Sequence, residues 1–192
     1  VSKVTNMNNM FRNSDFNQPI GNWNVSSASN MNAMFYGSAF NQPIESWDVS
    51  AVTTMNSMFK ETPFNQPIGN WNISAVTNTQ GMFYGSFFNQ PIGDWNVSSV
   101  TNMRGMFDKA SSFNQSIGDW NVSSVTDMEQ MFLEASSFNQ PIGDWNVSFV
   151  TNMKGMFNYT PFNQPIEDWN VSSVSDMVNM FGSADALSLA NR

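Results

Sequence analysis

The chain is predicted to be an α/β repeat solenoid with 24–25 residues per coil, and three observations carry that expectation. Phe-Asn-Gln recurs at Phe16, Phe40, Phe64, Phe88, Phe113, Phe138 and Phe162, separated by 24, 24, 24, 25, 25 and 24 residues. All seven tryptophans, Trp23, Trp47, Trp71, Trp95, Trp120, Trp145 and Trp169, keep that step, and all fifteen methionines fall on repeat positions. Within each unit, the apolar spacing changes from the two-residue period of a strand to the three-and-four period of a helix.

The strand expectation rests on Ile92-x-x-Trp95-x-Val97, which has the L-x-x-L-x-L spacing of leucine-rich repeats. Trp95 and Val97 are expected to point inward and Asn96 outward, so that seven such strands stack into one short parallel sheet. The helix expectation rests on Val100, Met103, Met106 and Phe107 at i, i+3, i+6 and i+7. Ser98 or Thr101 is placed to cap it, and Thr126-Asp-Met-Glu129 has the form of a capping box. A short helix or 3₁₀ turn is the expected product. A second short strand is the alternative, because Val and Thr are β-branched.

Between units the chain runs through small turn residues into Phe-Asn-Gln-Pro-Ile. Pro19, Pro43, Pro67, Pro91, Pro141 and Pro165 hold that stretch extended, and Ser116 is the exception. The Asn and Gln amides are expected to form a ladder that satisfies the backbone of the adjoining coil. Both one-residue insertions, at 108–112 and 133–137, fall in the outer loop. The whole of 1–192 is expected to be one array, with a half-repeat at 1–15, repeats starting at 16, 40, 64, 88, 113, 138 and 162, and a candidate C-terminal cap at 182–192. Since the chain begins inside a repeat, the native protein is expected to extend beyond it.

Composition removes whole classes of chemistry. With neither cysteine nor histidine, the chain lacks disulfides, thiolate nucleophiles, imidazole bases and the usual zinc ligands. A net charge of −8 argues against nucleic acid or an anionic membrane surface as partner. No apolar run approaches the roughly 18 residues of a membrane span.

Charge placement is the most informative functional feature. The segments from Ile to Ser carry Glu45, Asp48, Asp94, Asp119, Asp144, Glu167 and Asp168, and no Lys or Arg. Asp94, Asp119, Asp144 and Asp168 occupy one position in four consecutive coils, where like charges about 5 Å apart repel by roughly 1 kcal/mol in water. Such a row must be solvated, share protons or hold cations. Calcium, at Asp94, Asp119, Asp144 and Asp168, is the one cation the oxygen-rich row suggests, and no other cofactor is expected. The candidate ligand-facing column is therefore Asp94, Asn96, Asp119, Asn121, Asp144, Asn146, Asp168 and Asn170. Six Asn-Val/Ile-Ser sequons lie on the same column, too close together for six glycans, and Asn158 is the least crowded acceptor.

The words Phe-Asn-Gln-Pro-Ile, Trp-Asn-Val-Ser and Val-Thr-Asn-Met-x-x-Met-Phe resemble the BspA-like leucine-rich-repeat surface proteins, a type also found in Mycoplasma lipoproteins. Ala28 for Val, Thr79 for Met, Asp48 for Asn and Ser116 for Pro are local departures. The resemblance implies a right-handed solenoid on a secreted or cell-surface protein, and brings no catalytic residues. The functional expectation is a non-enzymatic adhesion or interaction module whose acidic, amide-rich face meets a protein or glycan. The alternative is a structural spacer or filament subunit whose open ends meet neighbouring repeats or self-associate. Ice binding through the column Ser26, Ser50, Ser74, Ser98, Ser123, Ser148 and Ser172 ranks lower, and glycoside hydrolysis lowest, because a carboxylate pair repeated along the array has no distinguished cleft.

Overall fold

The computed structural model describes residues 1–183; part of the candidate cap at 182–192 therefore lies outside the described residues. The repeats stack side by side in register. Asn6, Asn30, Thr54, Asn78, Asn102, Asp127, Asn152 and Asp176 pair in parallel from each repeat to the next, one residue per repeat.

The expected α/β architecture is not what forms. Among the described residues there is no helix, and the only strand-like pairing is this single file of bridges. Ile92-x-x-Trp95-x-Val97 is not a strand but two successive tight turns: Trp95 N–H donates to Ile92 O at 3.2 Å, and Val100 N–H to Val97 O at 2.9 Å. The inward and outward pattern nevertheless survives, with Trp95 and Val97 buried and Asn96 exposed. The second-strand alternative comes nearer, since the pairing residue lies in Val-Thr-Asn-Met, but it amounts to one residue.

The segment expected to be helical is a ribbon of turns. Met106 N–H donates to Met103 O and Asp108 N–H to Gly105 O, each at 3.1 Å. The alternate amides leave the repeat altogether: Met103, Gly105, Phe107 and Lys109 donate to Asp127, Glu129, Met131 and Leu133 carbonyls of the next repeat at 3.0, 2.8, 2.9 and 2.7 Å. Left-handed backbone at Gly105 (φ 57°) and Lys109 (φ 59°) breaks any helix within one turn. The bend begins at an Asn or Asp whose side chain takes the amide two residues on, as Asn102 Oδ1 takes Arg104 N–H at 2.9 Å. Where Thr54 replaces that asparagine, Asn32 of the preceding repeat reaches across to take Asn56 N–H at 2.9 Å. With no helix to cap, the supposed capping box is employed otherwise: Thr126 Oγ1 donates to Thr101 O at 3.2 Å, and Glu129 accepts from Arg104 and Asn152.

The apolar columns run the length of the stack. Phe35 and Phe59 stack at 5.7 Å between centroids, Phe40 and Phe64 at 6.1 Å, and Trp47 and Trp71 at 6.5 Å with planes 3° apart. Each indole N–H from Trp47 to Trp169 donates to the isoleucine carbonyl of the preceding repeat, as Trp95 Nε1 does to Ile68 O at 3.1 Å, so the buried ring carries no orphaned donor.

The Asn-Gln amides form the expected ladder. Asn65 Oδ1 accepts from Asn89 N–H at 2.9 Å and Gln90 Nε2 at 3.1 Å in the next repeat, while Asn65 N–H donates to Asn41 Oδ1 at 3.0 Å. Asn65→Ala strands two donors and is expected to destabilise the chain by about 1–3 kcal/mol in urea unfolding. Asn65→Asp keeps the acceptor oxygen and should cost less; equal losses would remove the ladder from the account of stability.

Candidate functional site

The turn from Ile to Trp sets the acidic edge. Its third residue, Asp94, Asp119, Asp144 or Asp168, is exposed in each case. The turn passes close to the next repeat, where a Cβ on Gly93 would lie 2.8 Å from Ser116 O and one on Gly143 the same distance from Pro165 O. Glu45 and Glu167 stand at this glycine position in two other repeats, so the backbone accommodates a side chain there. A shallow groove beside the row is lined by Asp119 and Asp144 together with Pro141 and Pro165.

The predicted asparagines lie on the same edge and are already partly engaged. Asn96, Asn121 and Asn146 Oδ1 each accept the hydroxyl of the serine two residues on at 2.7 Å, together with its N–H at 3.1–3.2 Å. Asn170 Oδ1 takes Ser172 N–H at 3.1 Å. These bonds use the oxygen and hold the side chain in one orientation, leaving the exposed amide nitrogen as a donor toward solvent. At Asp48 the same bonds from Ser50, at 2.6 and 3.1 Å, hold the carboxyl below its ordinary range. Serine hydroxyls committed to Asn Oδ1 are poorly suited to the ice-binding reading.

The four aspartates make a row and not a cage. No group of three or more Asp or Glu that could hold a metal ion occurs among the described residues. Asn158, the sequon expected to be least crowded, is half-buried, and its Oδ1 is buried without a hydrogen-bond partner.

Three charged features escaped the sequence reading. Arg104 Nη2 meets Glu129 Oε1 at 3.1 Å, and Asn152 Nδ2 donates to Glu129 Oε2 at 3.0 Å, linking three repeats. A second column alternates cations and tyrosines: Arg12 lies 4.7 Å from the Tyr36 ring centre, Lys60 lies 5.0 Å from Tyr36 and 4.2 Å from Tyr84, and Lys109 lies 5.6 Å from Tyr84. The alternation of Arg12, Tyr36, Lys60 and Tyr84 immediately after each Met-Phe was visible in the sequence as a position in register.

The third is Asp108, next in that register, which is only 5% exposed and has an Oδ1 with no partner. Burial pushes its carboxyl up to about 7, Glu134 adds to the rise, and Lys109 and Lys60 oppose it. The protonated acid is thus the form the fold prefers. Its contribution is complete below the ordinary value of 3.8 and is lost as pH rises through about 7. Asp108→Asn should flatten that part of the stability profile and raise stability by about 1–2 kcal/mol above pH 7, a figure held down by the neighbouring Lys109 and Lys60. Identical pH profiles for the two proteins would contradict this.

Among the described residues, no helix is long and apolar enough to cross a membrane. A comparison with curated proteins finds no match. The family model described as "Mycoplasma protein of unknown function, DUF285" matches twice, over residues 1–90 and 84–191, and on that coverage the chain belongs to the DUF285 family of repeat proteins.

Proposed function

We propose that this chain is a non-enzymatic interaction module of an extracellular or cell-surface protein, and that its acidic edge is the working surface. The observation that carries the reading is the exposed row Asp94, Asp119, Asp144 and Asp168, flanked by Asn96, Asn121, Asn146 and Asn170 that their serines hold in one orientation. A regular row of carboxylate acceptors beside amide donors matches a ligand with repeated hydroxyls or cationic groups, such as a glycan or a basic segment of a matrix protein. Orienting the side chains before binding lowers the entropy cost of engaging several at once. The likeness of the repeated words to BspA-like surface proteins is consistent with this reading.

The test is a panel of glycans and matrix proteins, probed with the wild-type chain and with Asp94→Ser, Asp119→Ser, Asp144→Ser and Asp168→Ser combined. The four substitutions are expected to abolish binding while leaving the melting transition in place. Binding that survives them places the working surface elsewhere, and a wild-type chain that binds nothing on the panel counts against the adhesive reading.

A further inference from the structure

We infer that the column of cations and tyrosines is a second interaction surface, and that its partner is a linear polysaccharide in which every second sugar is acidic. The column follows the phenylalanines of the turn ribbon in the order Arg12, Tyr36, Lys60 and Tyr84, and Lys109 joins it from one position further on. Each tyrosine stands between a cation of the repeat before and a cation of the repeat after. Arg12 and Lys60 lie 4.7 and 5.0 Å from the Tyr36 ring centre, and Lys60 and Lys109 lie 4.2 and 5.6 Å from that of Tyr84.

These cations are ordered but not neutralised. Among the described residues the only ion pair joins Arg104 to Glu129, so Arg12, Lys60 and Lys109 have no carboxylate at ion-pair distance. Glu61 and Glu134, exposed in the register of Lys109, do not close on them. Tyr84 is the chief cause holding the Lys109 ammonium above its ordinary value. Arg12 and Lys109 are exposed, and Tyr36, Lys60 and Tyr84 are half-buried, so a ligand can reach each of the three charges. Guanidinium and ammonium groups only donate hydrogen bonds and a phenol readily does, which calls for a partner rich in anionic acceptors.

Spacing selects the kind of polyanion. The phenylalanines that carry the column stand 5.6–5.8 Å apart from one repeat to the next, so cations two repeats apart recur at about 11 Å. An acidic peptide lying extended returns a side chain to the same face about every 6.7 Å, out of step with that interval. A polysaccharide with one acidic sugar in two returns its charge once per disaccharide, which keeps step with two repeats. Both sides of each tyrosine are taken by cations, so the contact is made through charge and hydroxyl edges and not by stacking of sugar rings. The net charge of −8 repels a polyanion at long range, and binding must therefore come from a local surface of this kind.

The test is titration of the chain at low ionic strength with hyaluronate, with neutral dextran and with polyglutamate. The wild-type chain should bind hyaluronate and lose it as salt rises, ignore dextran, and bind polyglutamate at least about tenfold more weakly. Lys60→Gln removes the cation that both tyrosines share and should weaken hyaluronate binding by about tenfold. Lys154→Gln makes the same change of charge at an exposed site outside the column and should leave binding unchanged, as should the four combined aspartate-to-serine substitutions of the acidic edge. Near-UV circular dichroism of the tryptophan stack checks the fold; if Lys60→Gln disturbs it, Arg12→Gln and Lys109→Gln take its place. A wild-type chain that does not bind hyaluronate, equal losses from Lys60→Gln and Lys154→Gln, loss of binding with the acidic edge, or tighter binding to polyglutamate overturns the proposal.

Discussion

The structure depends on one interaction: the backbone hydrogen bond that leaves a repeat and closes on its neighbour. In a helix, the amides of Met103, Gly105 and Phe107 would be satisfied within their own segment. Here they are satisfied only by Asp127, Glu129 and Met131 of the next repeat. No repeat can meet its own backbone needs, so each is stable only against another, and stability is carried by nearest-neighbour terms along the stack. The other regular features serve the same junction. The Asn-Gln ladder, the Thr-to-Thr bonds and the indole-to-isoleucine bonds all cross it, and the Phe and Trp columns fill the space beneath.

This dependence explains what could be read from the sequence and what could not. The period, the inward columns, the need of each indole for a partner and the amide ladder were all legible, because each follows from a residue type repeated in register. The fold class was not. Apolar residues at Met103, Met106 and Phe107 have a spacing that a helix and a chain of consecutive turns share, since both return the side chain to one side every three or four residues. The distinguishing signal was smaller: Gly81, Gly105 and Gly155 recur between the paired methionine positions, with Asn9 and Asn179 there at the two ends, and these are residues suited to left-handed backbone. The strand was misplaced for a related reason, because Trp95 and Val97 face inward from two turns much as they would from a pleated strand.

The acidic edge was legible as a column, since exposure follows from its place between two buried positions. Its detail was not. That Asn96 is held by Ser98 depends on a local turn that the strand expectation did not contain, and that Glu129 joins Arg104 and Asn152 across three repeats depends on the rise and rotation between units. Asp108 was hidden for another reason: it opens one of the two inserted outer loops, where the register gives no guide to burial. Two of the charged groups thus form separate columns: the carboxylates Asp94, Asp119, Asp144 and Asp168 on the turn from Ile to Trp, and Arg12, Lys60 and Lys109 beside Tyr36 and Tyr84.

The measurement that bears most directly on the stacking is the scalar coupling transmitted through a hydrogen bond, observed by nuclear magnetic resonance on the isotope-labelled chain. The account predicts coupling from the Phe107 amide nitrogen to the Met131 carbonyl carbon, and the equivalent coupling from Phe83 to Met106. Coupling from Phe107 to the Met103 carbonyl, the partner a helix would supply, would contradict it.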